Sequence, residues 1–231
     1  MRVFVFLVTF KRLVPVIAAL GVLAVAAPAS ASVSEVGGRL PKVPASCPDA
    51  CQAIGKVSGF QAQVGTVKHP YTMRRAGKIV AFSITLGSPK ADQIDFFTKL
   101  FGGKPQARLI ILRQPRHSKK YLETGMSDLF DLEDYFGSTP TFALKQPLTV
   151  RPGYIVAISV PTWAPAFSGT LGNDQIWRSS RDPAKCDDVQ QDAAQDVLGS
   201  QRTYGCLYRK ARLLYTATFV PDPKKTTPQK N

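Results

Sequence analysis

Between Cys47 and Val220 the apolar residues recur with a period of two rather than 3.6, the spacing of strands. In residues 78–86 (KIVAFSITL), Val80, Phe82, Ile84 and Leu86 fall on one face; Ile79, Ala81, Ser83 and Thr85 fall on the other. Residues 154–160 (YIVAISV) gather Tyr154, Val156, Ile158 and Val160. The closing run 211–220 (ARLLYTATFV) places Leu213, Tyr215, Ala217 and Phe219 together. Residues 107–113 (ARLIILR) are apolar on both faces and suit an interior strand. Residues 53–63 and 139–144 are weaker strand candidates. In Arg151-Pro152-Gly153-Tyr154, proline presets φ at the second position and glycine accepts a positive φ at the third. A type II turn there predicts a hairpin joining residues 148–150 to 154–160.

Helical signals are few. Ser88-Pro89 ahead of residues 91–101 offers a cap and a proline near the first turn. Ile94, Phe97 and Phe101 share a face, and Gly102 stops the run. Residues 128–136 and 187–198 each have room for a short helix. Two echoes, GKIVAFSI at 77–84 against GYIVAISV at 153–160 and ARLI at 107–110 against ARLL at 211–214, suggest strands with a shared structural role. The fold expected is mainly β: an antiparallel two-sheet β-sandwich, jelly-roll-like, with one to three short helices.

The first 31 residues break this pattern. Arg2, Lys11 and Arg12 precede an unbroken apolar run over residues 13–27, and Ala29-Ser30-Ala31 supplies the small residues of a cleavage site. Residues 1–31 thus read as a signal peptide, 32–46 (SVSEVGGRLPKVPAS) as a flexible linker, 47–220 as one domain and 221–231 (PDPKKTTPQKN) as a solvated polar tail. No cysteine closely follows the apolar run, which speaks against a lipid anchor. The expected address is extracellular or envelope-associated.

Export changes the meaning of charge and cysteine. The full chain carries a formal +14, and losing the leader's three basic residues leaves +11. Such an excess favours anionic partners: extracellular or envelope polysaccharides and other anionic polymers, with nucleic acid the least fitting outside the cell. A hydrophobic content of 44% supplies a core and excludes wholesale disorder. The four cysteines, Cys47, Cys51, Cys186 and Cys206, read as disulfides. Of three pairings, Cys47–Cys51 and Cys186–Cys206 each close a short, turn-rich loop. Zinc fails on spacing, because neither pair is C-x2-C and His69 and His117 lie far away.

The run CPDACQAIGKVSGFQ from Cys47, then GKIVAFSITLG, PLTVRPGYIVAISVPTWAP and ARLLYTATFV, resembles exported bacterial β-sandwich proteins. Their general plan is similar to jelly-roll, galactose-binding-like modules. The resemblance covers most of the chain after the leader and rests on strand and turn pattern. It implies carbohydrate binding as the expected activity, although fold does not fix function.

Two groups of candidate binding residues follow. Trp163 sits between Pro161 and Pro165 in a stretch that does not suit an ordinary central strand, so a proline-braced loop would hold its indole outward as a platform for a sugar face. Trp177 and Tyr154 would extend that surface, with Arg151 or Arg178 bonding hydroxyl or carboxylate oxygens. The densest basic segment, residues 113–121 (RQPRHSKKY), offers Arg113, Arg116, Lys119 and Lys120 to a polyanion. Lys224 and Lys225 add charge at the end, as in a protein held at the envelope by charge alone.

Catalytic signals are sparse. G-x-S-x-G, H-E-x-x-H and phosphate-cradling loops are absent, and no motif calls for a cofactor. A hydrolase would have to draw on Glu123 and Asp128, or on a serine with His69 or His117. Asp128, Asp131 and Asp134 recur every third residue, which on a helix makes an acidic face opposite Leu129, Leu132 and Phe136, not a calcium loop. The reading is a non-enzymatic binding module.

Overall fold

Strands with one apolar face must cover it, and here two antiparallel sheets cover each other. The computed structural model describes residues 32–116, 118 and 120–223. The expected leader, residues 224–231, His117 and Lys119 lie outside the described residues. The strands are β1 (Ser34–Val36), β2 (Ile54–Val64), β3 (Val67–Lys68), β4 (Gly77–Ile84), β5 (Gln106–Arg113), β6 (Lys120–Met126), β7 (Phe130–Asp131) and β8 (Thr141–Val150). They continue with β9 (Ile155–Ala164), β10 (Phe167–Ser168), β11 (Gln175–Ser179), β12 (Gln201–Thr203), β13 (Cys206–Arg209), β14 (Arg212–Leu213) and β15 (Tyr215–Pro221). One α-helix, α1 (Ala91–Phe101), and one 3-10 turn (Glu133–Tyr135) complete the described elements.

A four-stranded sheet runs β1-β15-β4-β8, and a larger, curled sheet runs β12-β6-β5-β9-β2-β11-β13 with β3 and β7 added to β2 and β5. β10 and β14 form a separate short pair. The fold is therefore a mainly β antiparallel sandwich, as the alternation predicts. Ile79, Phe82, Ile84, Ala217 and Phe219 of the small sheet share one core with Leu109, Ile111, Val156 and Ile158 of the large one. β9 pairs with both β2 and β5, and its residues 155–160 are buried on both faces. A buried polar latch holds residues 193–200 on the large sheet. The Gln195 backbone N–H donates to Ser58 Oγ at 2.8 Å, and Ser58 Oγ donates to Ser159 Oγ at 2.7 Å.

Several sequence expectations change in detail. The turn at residues 151–154 forms, with the Tyr154 N–H donating to the Arg151 carbonyl at 3.0 Å and Gly153 at φ +85°. It does not make a hairpin: β8 pairs with β4 in the small sheet while β9 enters the large one, so the turn is a corner between sheets. The echo strands likewise divide, one as β4 and one as β9. Residues 32–46, expected as a linker, contain β1, which pairs with β15. The buried face of β4 is Ile79, Phe82 and Ile84, because bulges against β15 and β8 near Val80 shift the alternation by one residue. The last strand divides at Leu214, with β14 pairing to β10 and β15 to β4.

The helices differ too. α1 occupies residues 91–101 as predicted and ends at Gly102, whose N–H donates to the Thr98 carbonyl at 2.9 Å. Its N-cap is Lys90 rather than Ser88, and Gln93 Oε1 accepts the Lys90 N–H at 2.8 Å. Residues 128–136 split into β7 and the 3-10 turn, and residues 187–198 form turns instead of a helix. The disulfides are Cys47–Cys51 and Cys186–Cys206. Among the described residues, no helix is long and apolar enough to cross a membrane.

Candidate functional site

The chain after β1 lies as a strap across the edge of the sandwich. Gly37 makes this approach possible: it stands at φ +82°, and a Cβ there would lie 2.5 Å from Tyr71 Oη. Arg212, buried to 6% exposure, ties the strap down by donating from Nη1 to the Pro41 carbonyl at 2.5 Å. Desolvation lowers the Arg212 pKa from its ordinary value.

Strap, β3 and the turn after β3 enclose a groove of about 290 Å³. Val36, Leu40, Met73 and Phe219 contribute its apolar surface. Arg39 enters from the strap, Lys68 from β3, and Arg74 and Arg75 from the turn; all four are exposed. Glu35 is the one acid in the lining, and its carboxylate accepts the Thr218 hydroxyl. Among the described residues the only ion pair is Lys145–Asp128, at 3.5 Å and on the surface. The groove's four cations therefore face solvent with no carboxylate of the described residues in ion-pairing range. Their charges add over a low-dielectric floor, which concentrates the positive field in the groove.

The expected tryptophan platform does not exist as a surface. β9 continues through Pro161 to Ala164, and Trp163 pairs with Gly55. Pro161 and Thr162 fall in an irregularity between the Val57–Val160 and Gly55–Trp163 pairs, where a missing N–H is tolerated. Trp163 is thus aimed inward, 0% exposed, packed on Phe97, Phe101 and Phe136, with its indole N–H donating to the Gly103 carbonyl at 3.3 Å. Trp177 is 4% exposed and stacks on Tyr208 with centroids 4.6 Å apart. Tyr154 is half-buried at the opposite end of β9, roughly 30 Å of extended strand from Trp163. Arg151 is exposed at the corner turn, whereas Arg178 is half-buried and donates from Nη1 to the Tyr204 carbonyl at 2.8 Å. The structure does not bring these five residues together.

Arg113, Arg116 and Lys120 are exposed on the β5–β6 connection, a second basic surface. The acids proposed for hydrolysis occupy different environments. Asp128 sits in the surface ion pair, whereas Glu123 is 1% exposed with neither carboxylate oxygen hydrogen-bonded within the protein. Burial pushes the Glu123 pKa up to about 7; nearby Asp196 raises it further and Arg108 opposes. His69 is exposed and lines the basic groove. Asp131 accepts from Gln106 Nε2 at 2.7 Å, and among the described residues no three His, Cys, Asp or Glu side chains gather as a metal set.

The groove escaped the sequence reading because its parts are scattered. Arg74-Arg75, close after Lys68-His69, was a visible local signal; only the β1–β15 pairing brings Arg39 to them. No protein family, curated protein or solved structure gives a significant match to this chain.

Proposed function

We propose that this protein is an exported, non-enzymatic β-sandwich that attaches to acidic glycopolymers of the cell envelope or its surroundings. The observation that carries the reading is the groove in which Arg39, Lys68, Arg74 and Arg75 stand exposed, with no carboxylate partner among the described residues. Arg113, Arg116 and Lys120 extend the basic surface a polymer would meet. Binding through exposed cations is multivalent, tolerant of sequence in the polymer and weakened by salt. A sugar-stacking mode has little support, because both indoles are built into the core. Two disulfides suit the oxidising side of a membrane.

Retention on immobilised polygalacturonate, with neutral dextran as control, tests this reading. The protein is expected to bind polygalacturonate at low salt, ignore dextran, and elute as salt rises. Equal retention on dextran, or no retention on polygalacturonate, would contradict it.

A further inference from the structure

A second cavity, sharing no residue with the basic groove, lies where the start of β2, the end of α1, β10, β11 and β13 converge. It measures about 480 Å³, within the roughly 300–1,000 Å³ of small-molecule sites. Ile54, Phe101, Phe167, Trp177 and Tyr208 give it a largely aromatic lining. Three further lining residues are cationic, Arg181, Arg209 and Lys210, and none is acidic.

Arg181 sets the chemistry. It is 5% exposed, and its Nη1 donates to Tyr208 Oη at 3.0 Å. Nη2 donates to the Gly55 carbonyl at 3.2 Å and the Val189 carbonyl at 3.3 Å, while Nε has no acceptor among the described residues. Every partner of this guanidinium is neutral, yet arginine remains protonated in proteins. A buried cation among neutral dipoles leaves its charge uncompensated. The indole N–H of Trp177 is a further buried donor without an acceptor in the same lining. Both unpartnered N–H groups are sealed in the wall, so the attraction on a ligand comes from the charge of Arg181 rather than from a bond to its Nε.

We propose that this cavity binds a small carboxylate carried on a flat apolar body. The body would lie against Phe101 and the ring of Tyr208, which covers Trp177, and the carboxylate would supply the counter-charge that Arg181 lacks. Arg209 and Lys210 are exposed and would draw the anion in from solution. The disulfide Cys186–Cys206 closes the segment that carries Val189, one wall of the site, onto β13.

The test titrates the protein at low salt with 3-phenylpropionate, indole-3-acetate and 2-naphthoate, each beside its neutral primary amide, by calorimetry or ligand-observed NMR. At least one acid is expected to bind about tenfold more tightly than its amide. Arg209→Glu should weaken that acid several-fold more than it weakens the amide, so that the acid preference falls. Arg181→Gln should remove the acid preference; the exposed Arg209→Glu keeps the test decisive if Arg181→Gln does not fold. Failure of all three acids to bind, equal binding of acid and amide, or an undiminished preference in Arg209→Glu would overturn the proposal. Arg74→Glu/Arg75→Glu should leave this binding intact, which separates its outcome from that of the polymer experiment.

Discussion

Gly55 stands opposite Trp163 across the β2–β9 pair, and the space a side chain would take at Gly55 is filled by the Phe101 ring. A Cβ there would lie 2.5 Å from Phe101 Cδ1. That ring stacks on Phe97 at 6.3 Å, and Phe97 contacts the Trp163 indole at 5.3 Å, so it has little freedom to retreat. α1 is therefore seated on the sheet through a glycine and a tryptophan facing each other.

Gly55→Ala should destabilise the fold by about 1–3 kcal/mol, the usual cost of overpacking a filled core. Urea denaturation would show this as a lower midpoint at unchanged slope. An unaltered midpoint would mean that α1 yields freely.

The sequence made strand identity legible, but not the sheet each strand joins. Alternation says which side chains share a face; it is silent on the partner, so the 151–154 turn was readable while its role as a corner was not. Bulges defeat a strict period, as at Val80, where one extra residue exchanges the buried face. Trp163 was misread for a related reason: prolines that usually end a strand are absorbed here in a local irregularity of β9. Local features fared better, including α1, its Gly102 stop and both disulfides. Sites assembled from distant segments, such as Arg39 with Arg74 or Arg181 with Phe101, leave no local signature.

Glu123 should make stability depend on pH in the direction opposite to a paired carboxylate. Its folded pKa of about 7 lies above its ordinary 4.5, so the fold holds the proton more tightly than the unfolded chain. The contribution is whole below pH 4.5, falls as pH rises, and is lost by about pH 7. At 1.36 kcal/mol per pKa unit the full loss is up to about 3 kcal/mol. Denaturation midpoints between pH 4 and 8 check this, and Glu123→Gln should flatten that part of the profile. A wild-type profile that rises over this range, with Glu123→Gln following it, would contradict the assignment.

The two disulfides should contribute unequally. Cys186–Cys206 spans 20 residues and Cys47–Cys51 spans 4, and loop-closure entropy grows with the span. Removal of Cys186–Cys206 by paired serine substitution should cost about 3 kcal/mol, and removal of Cys47–Cys51 about 2 kcal/mol. Thermal melts of the two double variants give the order. A larger loss from the Cys47–Cys51 pair would place the constraint elsewhere.

In the proposed function, the exposed cations of the groove hold the acidic polymer. The most direct measurement compares the salt dependence of polygalacturonate binding for the wild type and for Arg74→Glu/Arg75→Glu. Both positions are exposed, so the melting temperature should barely move. Wild-type binding is expected to weaken steadily with salt, and the variant to bind about tenfold more weakly at low salt with a shallower salt slope. A variant that binds as tightly as the wild type, with the same salt slope, would contradict it.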